Sequence, residues 1–183
     1  MNMPPLAILN IGVNESLGTS APPGWVDPTL VHNYLLQMVS DIHGRPTFEF
    51  IQRPLPGGGS GPTPSEPHPQ AGKKSKHLDL KIPNHVIVRI RLDKPLFWQW
   101  APKNAVTTGT KATAHYFLLE YFANGIWVAD PDSVPCDQIQ FRAKKQTVQQ
   151  DIAFNMNVII VYDNNEVLPV SIDPDIRNPG TLP

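Results

Sequence analysis

The stretch Asn84-His-Val-Ile-Val-Arg-Ile-Arg-Leu92 alternates between two kinds of side chain. In an extended strand, successive side chains point to opposite faces, so Val86, Val88, Ile90 and Leu92 share one face while His85, Ile87, Arg89 and Arg91 share the other. Four aliphatic side chains on one face and two arginines on the other predict a strand that is buried on one side and partly solvated on the other.

Similar apolar runs occupy much of the chain. Residues 113–122 are rich in aromatic and aliphatic side chains, and Asn124-Gly125 separates them from the short run 126–128. Because a type I′ turn needs positive φ at both central positions, Asn-Gly between two such runs predicts a β-hairpin. Further strands are predicted over residues 6–13, 138–144, 154–162 and 167–172. Many short strands separated by turns predict an all-β protein, in the form of an antiparallel β-sandwich.

One segment near the N-terminus fits two structures. Asp27-Pro28 is a helix-start signal, with an N-cap residue followed by proline at the first helical position. A helix over 29–40 would align Leu30, Tyr34, Leu35 and Met38 on one side. A strand over 33–39 would instead alternate Tyr34, Leu36 and Met38 with Leu35, Gln37 and Val39. Propensity alone does not separate the two.

A long segment in the first half of the chain has a different composition. Residues 53–72 contain six prolines and five glycines, with Leu55 as their one sizeable aliphatic side chain. So little apolar surface cannot offset the entropy lost on ordering the segment. We therefore predict one domain over 1–183, in which 53–76 form a flexible Pro/Gly-rich loop between strands.

Charge and hydropathy limit the partners and the location. The formal net charge is −1, which gives no long-range field to attract nucleic acid, so no nucleic-acid partner is expected. No segment approaches the 18 or so uninterrupted apolar residues of a membrane span. The N-terminus lacks the basic region of a signal peptide, so a cytoplasmic location is expected. The single cysteine, Cys136, cannot form an internal disulfide.

Two Asp-Pro-Asp motifs have two interpretations. Carboxylates at positions i and i+2 of an extended chain project to one side and could ligate Ca²⁺. Such a cation site would use Asp130, Asp132, Asp173 and Asp175. Alternatively, each motif ends the predicted strand before it, because aspartate caps a turn and proline cannot donate to a strand ladder.

Tryptophans form the second group of candidate binding residues. Trp98 and Trp100 lie on the same side of the extended segment 95–102, and Trp127 follows the Asn-Gly turn. If these rings are exposed, they form a platform for a sugar ring or another small ligand. If they are buried, they fill the core of the sandwich.

Two stretches resemble a known family. Val31-His-Asn-Tyr-Leu-Leu-Gln-Met-Val-Ser40 is similar to an early segment of the PixA/AidA-type bacterial inclusion-body proteins. Leu78-Asp-Leu-Lys-Ile-Pro-Asn-His-Val-Ile-Val-Arg-Ile-Arg91 is similar to the element that follows it there. The resemblance favours a strand over a helix at 33–39. It implies a β-sandwich, cytoplasmic accumulation and self-association. It implies no established catalytic activity, so it offers no active-site residues to carry over.

The expected function follows from that resemblance and from the absence of a G-x-S-x-G, P-loop or G-x-G-x-x-G motif. We expect a non-enzymatic, self-associating homo-oligomer without a cofactor. One alternative is a carbohydrate- or small-ligand-binding module, with a glycan on Trp98, Trp100 and Trp127 and Ca²⁺ at the aspartates. A second alternative is an enzyme whose site assembles from distant residues, such as His115 with Asp130 or Asp132.

Overall fold

The structure is a computed structural model that describes residues 15–40, 43–44, 46–52, 80–82, 84–95, 97–109, 114–145, 147, 150–172 and 175–178. This part of the chain contains strands and no α-helix, which confirms the all-β prediction. The strands are β1 (Glu15–Ser16), β2 (Val31–Ser40), β3 (Pro46–Gln52), β4 (Leu80–Lys81), β5 (Val86–Leu92), β6 (Trp98–Trp100), β7 (Val106–Thr108), β8 (Tyr116–Ala123), β9 (Ile126–Val128), β10 (Gln138–Ala143), β11 (Gln150–Val161), β12 (Val167–Ile172) and β13 (Asp175–Asn178).

Two predictions concern segments that the described residues do not cover. The strand expected at 6–13 lies outside them. The flexible loop expected at 53–76 also lies outside them; the described residues on either side of it belong to β3 and β4. Within the described ranges, no helix has the length and apolar character needed to cross a membrane.

A six-stranded sheet contains β5, which forms within the alternating stretch 84–92. Its strand order is β3-β2-β5-β10-β8-β9, and every neighbouring pair is antiparallel except β2 with β5. In β5 the predicted alternation is present: Val86, Val88, Ile90 and Leu92 are buried, while Arg89 is half-buried and Arg91 is exposed. The period-two pattern therefore gives the two faces of this sheet different characters.

A seven-stranded sheet is organised around the long strand β11. β12 and β13 both pair with β11 in the same register, with Val161 opposite Val167 and Gln150 opposite Asn178. β7 pairs with residues 154–156 of β11, and β6 pairs with residues 158–160. A five-residue loop, residues 101–105, connects β6 to β7 beside Asn157, whose backbone bonds to Ala101 and Ala105.

The two sheets share one hydrophobic core, as expected for a β-sandwich. Val88 and Phe141 of the six-stranded sheet belong to the same cluster as Phe154 and Met156 of the seven-stranded sheet. Trp98 and Trp100 also belong to it, with exposed fractions of 1% and 2%. Their indole N–H groups donate to the backbone carbonyls of Asp93 and Asp137, at 2.7 and 3.1 Å, so these large side chains are buried without an unpaired donor.

β2 settles the helix-or-strand question at 29–40 in favour of the strand. It is hydrogen-bonded to β3 on one side and to β5 on the other. The consecutive residues Tyr34, Leu35 and Leu36 are all buried, so both faces of the strand are covered. A helix would have buried one stripe only.

The β8–β9 hairpin is also as predicted. Asn124 and Gly125 both have positive φ, at 51° and 86°, and Tyr121 pairs with Val128 behind them. This is the backbone conformation that made Asn-Gly a hairpin signal in the sequence.

Tyr121 links the two sheets by hydrogen bonds to the 101–105 loop. Its ring lies in the core, and its hydroxyl donates to the carbonyl of Ala101 at 3.0 Å and accepts from the N–H of Ala105 at 3.1 Å. Burial is the main reason that the pKa of Tyr121 rises to about 12. One side chain of the six-stranded sheet thus holds both ends of the 101–105 loop in the other sheet.

We expect Tyr121→Phe to lower the free energy of unfolding by about 1–3 kcal/mol, since it leaves a buried N–H and a carbonyl unpaired. Urea denaturation measures the loss. The matched control is Tyr162→Phe, which removes the same hydroxyl from a half-exposed ring and is expected to change stability by less than about 0.5 kcal/mol. Equal effects of the two changes would contradict a fastening role for Tyr121.

Candidate functional site

Polar side chains cover the face of the six-stranded sheet that points away from the core. Arg89 of β5 lies opposite Gln140 of β10, and Gln140 lies opposite Glu120 of β8. These three residues form a row across the sheet, and three more side chains lie beside the row on the same face. We call the whole set the polar face: Arg89, Arg91, Glu120, Gln140, Arg142 and Trp127. The alternation of the strands brings these side chains together, because their neighbours in sequence point into the core.

Hydrogen bonds link the row of the polar face across three strands. Arg89 donates to Oε1 of Gln140 through Nη2 at 2.9 Å and through Nε at 3.3 Å. The amide of Gln140 in turn donates to Oε2 of Glu120 at 2.7 Å. Gln140 is buried, so both ends of its side chain are satisfied within the network.

Arg142 is the most enclosed charge of the polar face, with 11% of its side chain exposed. Its Nε and Nη2 donate to the two carboxylate oxygens of Asp27, at 3.1 and 2.9 Å. Its Nη1 is paired with Oε2 of Glu120. A bidentate carboxylate on one side and a second carboxylate on the other compensate the cost of burying the guanidinium.

A β-bulge in β8 helps to enclose Arg142. The register between β8 and β10 shifts by one residue between Gln140 and Arg142, and Leu118 in the shifted stretch has φ of 55°. Positive φ is unusual for a bulky side chain, and bulges of this kind occur frequently next to functional sites. The carbonyl of Leu118 accepts from Nη1 of Arg142 at 3.4 Å.

Asp27 reaches Arg142 from a segment that crosses the sheet, residues 19–27, which we call the strap. Inside the strap, the indole N–H of Trp25 donates to Oδ1 of Asp27 at 2.9 Å. The Trp25 ring makes edge contacts with Phe117 and His85, at centroid distances of 4.9 and 5.1 Å. The strap therefore places one aromatic ring and one carboxylate over the end of the polar face.

At the other end, Arg89 lies over the ring of Trp127, with its guanidinium carbon 4.8 Å from the ring centroid. Trp127 packs in turn on Phe122 at a centroid distance of 5.0 Å. In the described part of the chain, Gln140 is the polar side-chain partner of Arg89, and no carboxylate pairs with it. Burial, and then the like charge of Arg142, lower the pKa of Arg89 from its ordinary value.

The pKa of the carboxylate over Arg142 is also lowered, but from a different cause. Hydrogen bonding to Arg142 is the main reason that the pKa of Asp27 is lowered, and its partial burial opposes the effect. Burial alone would lower the pKa of Arg142, but its hydrogen bonds with Asp27 and Glu120 outweigh this and raise it. Both groups are therefore charged at neutral pH, and the ion pair holds the strap on the sheet.

This arrangement is suited to binding an oxyanion. Arg89 and Arg91 present cations on the open part of the sheet, and guanidinium forks match the geometry of phosphate and carboxylate oxygens. Trp127 and Phe122 add an aromatic surface beside them. A ligand that combines a negatively charged group with a flat ring would find both features on the polar face.

Of the tryptophans considered from the sequence, the structure places one at this site. Trp127 belongs to the polar face, where it is half-buried. Trp98 and Trp100 lie in the core, so their rings are not available as an exposed stacking platform.

The first Asp-Pro-Asp motif forms a turn. Oδ1 of Asp130 accepts from the backbone N–H of Asp132 at 3.0 Å, and Oδ2 lies 3.5 Å from Nζ of Lys103. In the second motif, Asp173 lies outside the described residues, and Asp175 is described only as the first residue of β13. No group of three or more His, Cys, Asp or Glu side chains that could hold a metal ion occurs in the described ranges.

The histidine proposed with these aspartates, His115, directly precedes β8. Nδ1 of His115 is buried and has no hydrogen-bond partner in the described part of the chain, and no bond joins His115 to Asp130 or Asp132. Nδ1 of His32 is likewise buried and unpaired. Burial lowers the pKa of both imidazoles, with Lys144 adding to the effect at His115.

Sequence reasoning found Arg89 and Arg91 as the solvated face of a strand, but it missed Glu120, Gln140, Arg142 and Asp27 as partners. One signal was available at Arg142, which stands between the apolar residues Phe141 and Ala143 in a predicted strand. A charge at such a position requires a partner if its face is covered. Asp27 gave no such signal, because Asp27-Pro28 fits a helix start equally well.

Comparison with known proteins gives one family. A sequence model of the pNTSase1 family, described as a predicted novel nucleotide synthetase, matches residues 58–181, which is more than half of the chain. No curated protein matches the chain.

The family match corrects the resemblance to the PixA/AidA-type inclusion-body proteins, which is wrong. The motifs that carried it, at 31–40 and 78–91, contain the runs of buried residues in β2 and β5, which any strand in the middle of a sandwich sheet can show. The function drawn from it, a non-enzymatic self-associating protein, conflicts with a nucleotide-synthetase family and is also wrong. The lectin-like alternative conflicts with the same match.

The Asp27–Arg142 pair predicts how stability depends on pH. Because the pKa of Asp27 in the folded protein lies below its ordinary value of 3.8, its contribution is present above about pH 4 and is lost as pH falls through the lowered pKa. We expect Asp27→Asn to reduce the free energy of unfolding at pH 7 by up to about 1 kcal/mol, because about half of the Asp27 side chain is exposed to screening by water, and by less at pH 3.

Urea denaturation of both proteins at pH 7, 5 and 3 measures this difference. Asp163→Asn removes an exposed carboxylate from the β11–β12 turn and serves as the charge-matched control, which we expect to have little effect at any pH. A loss in Asp27→Asn that is as large at pH 3 as at pH 7 would show that the ion pair is not its source.

Proposed function

The chain belongs to the pNTSase1 family, and we propose that it is an enzyme that binds a nucleotide on the polar face. The family's description as a nucleotide synthetase supports a nucleotide as the substrate. The polar face supports the place of binding, since it combines cations with aromatic rings on one side of a sheet. All six residues of the polar face, from Arg89 to Arg142, lie inside the matched range 58–181.

Arg89 is the observation that carries the proposal. Its guanidinium is partly buried, it rests on the ring of Trp127, and the described residues give it a neutral amide as its polar side-chain partner. A partly desolvated cation without a carboxylate is stabilised by an incoming anion, more strongly than a fully hydrated cation would be. Gln140 and Trp127 fix the direction of its fork, so little side-chain entropy is lost when the anion binds.

A phosphate group is the anion that fits this position. Arginine presents two parallel N–H donors to phosphate oxygens, and Arg91, two residues along the same strand, supplies a second cation on the same face. Fixed cations of this kind also stabilise the negative charge that moves onto phosphate oxygens during transfer reactions. The base would lie towards the aromatic side of the polar face, at Trp127 and Phe122.

We expect the wild-type protein to bind nucleoside triphosphates, and Arg89→Gln to weaken that binding by about 10- to 100-fold, the effect of losing charge-assisted hydrogen bonds worth about 1.5–3 kcal/mol. Isothermal titration with ATP, GTP, CTP and UTP measures the affinity. Incubation of each with the protein, followed by anion-exchange chromatography, detects any product. Arg89→Lys keeps the positive charge but loses the two parallel N–H donors, so its nucleotide affinity should lie between those of the wild type and Arg89→Gln.

Lys103→Gln is the matched control, since it removes the same charge from an exposed side chain on the 101–105 loop that pairs with Asp130 and not with a residue of the polar face. It should bind nucleotides as the wild type does. The proposal fails if none of the four nucleotides binds the wild type, or if Arg89→Gln and Lys103→Gln bind equally well.

A further inference from the structure

Arg142 is held by two carboxylates of different kinds. Glu120 belongs to a strand of the same sheet and is partly buried, with 26% of its side chain exposed. Asp27 belongs to the strap, and 48% of its side chain is exposed. The guanidinium therefore has one partner built into the sheet and another that approaches from the solvent side.

The strap is tied down at its two ends. Before it, Gly18 exchanges backbone hydrogen bonds with β8, through Tyr116 and Leu118. After it, the carbonyl of Leu30 accepts from the N–H of Ile87 in β5 at 3.0 Å. Between these points, Asp27 and the ring of Trp25 make the contacts with the sheet, whereas Val26 between them is 82% exposed.

Asp27 occupies Arg142 in the geometry that an oxyanion ligand would take. A carboxylate that accepts from Nε and Nη2 of arginine is equivalent, in shape and charge, to two oxygens of a bound phosphate or carboxylate ligand. If Asp27 moves away, Arg142 keeps Glu120 and the carbonyl of Leu118, so it is not left as an unpaired buried charge. About half of the Asp27 side chain is exposed, so water can hydrate its carboxylate when it leaves Arg142, and a ligand can replace it there.

Arg142 is also close to the cation proposed to bind phosphate. Arg89 and Arg142 occupy diagonal positions on the same face of adjacent antiparallel strands, since Arg89 pairs with Gln140. Diagonal positions of this kind are about 7–8 Å apart. Gln140 and Glu120 form a hydrogen-bonded bridge between the two guanidinium groups.

We propose that Arg142 is a second oxyanion-binding position of the nucleotide site, and that Asp27 of the strap occupies it until an oxyanion of the ligand takes its place. The inference rests on the proposed function. The oxyanion is either a distal phosphate of the nucleotide bound at Arg89 or the carboxylate of a second substrate. Displacement of Asp27 also breaks the hydrogen bond that the indole N–H of Trp25 donates to it.

The test measures the affinity of Asp27→Asn for three probes: a nucleoside triphosphate, the corresponding monophosphate, and succinate in the presence of saturating monophosphate. Removing the competing carboxylate should tighten binding by about two- to fivefold, the coupling expected for an ion pair with a half-exposed carboxylate. A gain with the triphosphate alone assigns Arg142 to a distal phosphate. A gain with succinate assigns it to the carboxylate of a second substrate.

Two control variants isolate the effect. Val26→Ala changes the strap without touching the sheet, and Asp163→Asn makes the same change of net charge in a distant turn. Neither should tighten binding. Tryptophan emission gives a second readout: the ligand that displaces Asp27 should shift the emission of the wild type to longer wavelength, and Trp25→Phe should lose that shift.

The outcomes separate the two proposals. If the wild type binds the triphosphate but Asp27→Asn binds none of the probes more tightly than the controls, the role of Arg142 is overturned while the nucleotide site stands. If neither protein binds any probe, the nucleotide site is rejected, and the second position is rejected with it. Circular dichroism establishes that each variant is folded before binding is measured.

Discussion

A cation that lies under other residues has to be paired, and the polar side of this sandwich is organised around that requirement at Arg142. Glu120 and Asp27 supply the charges, the bulge at Leu118 turns a carbonyl towards the guanidinium, and Gln140 links Glu120 to Arg89. Without Arg142, the strap would have no ion pair to the sheet, and two carboxylates would face each other unneutralised. The core of the sandwich positions this network because successive side chains along a strand point to opposite faces. When one residue packs into the core, the next therefore lies on the outer face.

Much of the fold is encoded locally and could be predicted from the sequence. The alternation in β5 and the Asn124-Gly125 turn depend on neighbouring residues only, and both appear in the structure as expected. A strand over 33–39, within the observed β2, was also predicted, but on the wrong ground, a family resemblance that the pNTSase1 match replaces. Its physical cause is pairing on both sides, with β3 and β5, which the local sequence does not reveal.

The site could be predicted only in fragments, because its contacts are distant along the chain. Asp27 and Arg142 are 115 positions apart, and Arg89 and Gln140 are 51 apart. A pattern of period two identifies the face on which a side chain lies, but it does not identify the strand that will lie beside it. The tryptophans show a second limit of sequence patterns. Trp98 and Trp100 share a side of their strand as predicted, but this spacing fits both a core strand and a surface strand. The packing of the second sheet places them in the core.

The long separation between Asp27 and Arg142 also bears on the order in which the molecule assembles. Closing a contact over more than a hundred residues costs more chain entropy than forming the β8–β9 hairpin, whose paired residues are a few positions apart. Glu120 reaches Arg142 over a much shorter stretch, so we expect β8 and β10 to meet first and the strap to close over a sheet that has already formed. The cationic surface would then exist, open to solvent, at a stage of folding before its cover arrives, and amides of the 19–27 segment would be protected from hydrogen exchange later than those of β10. If a nucleotide is present during folding, it would then compete with the strap for a polar face that has already formed.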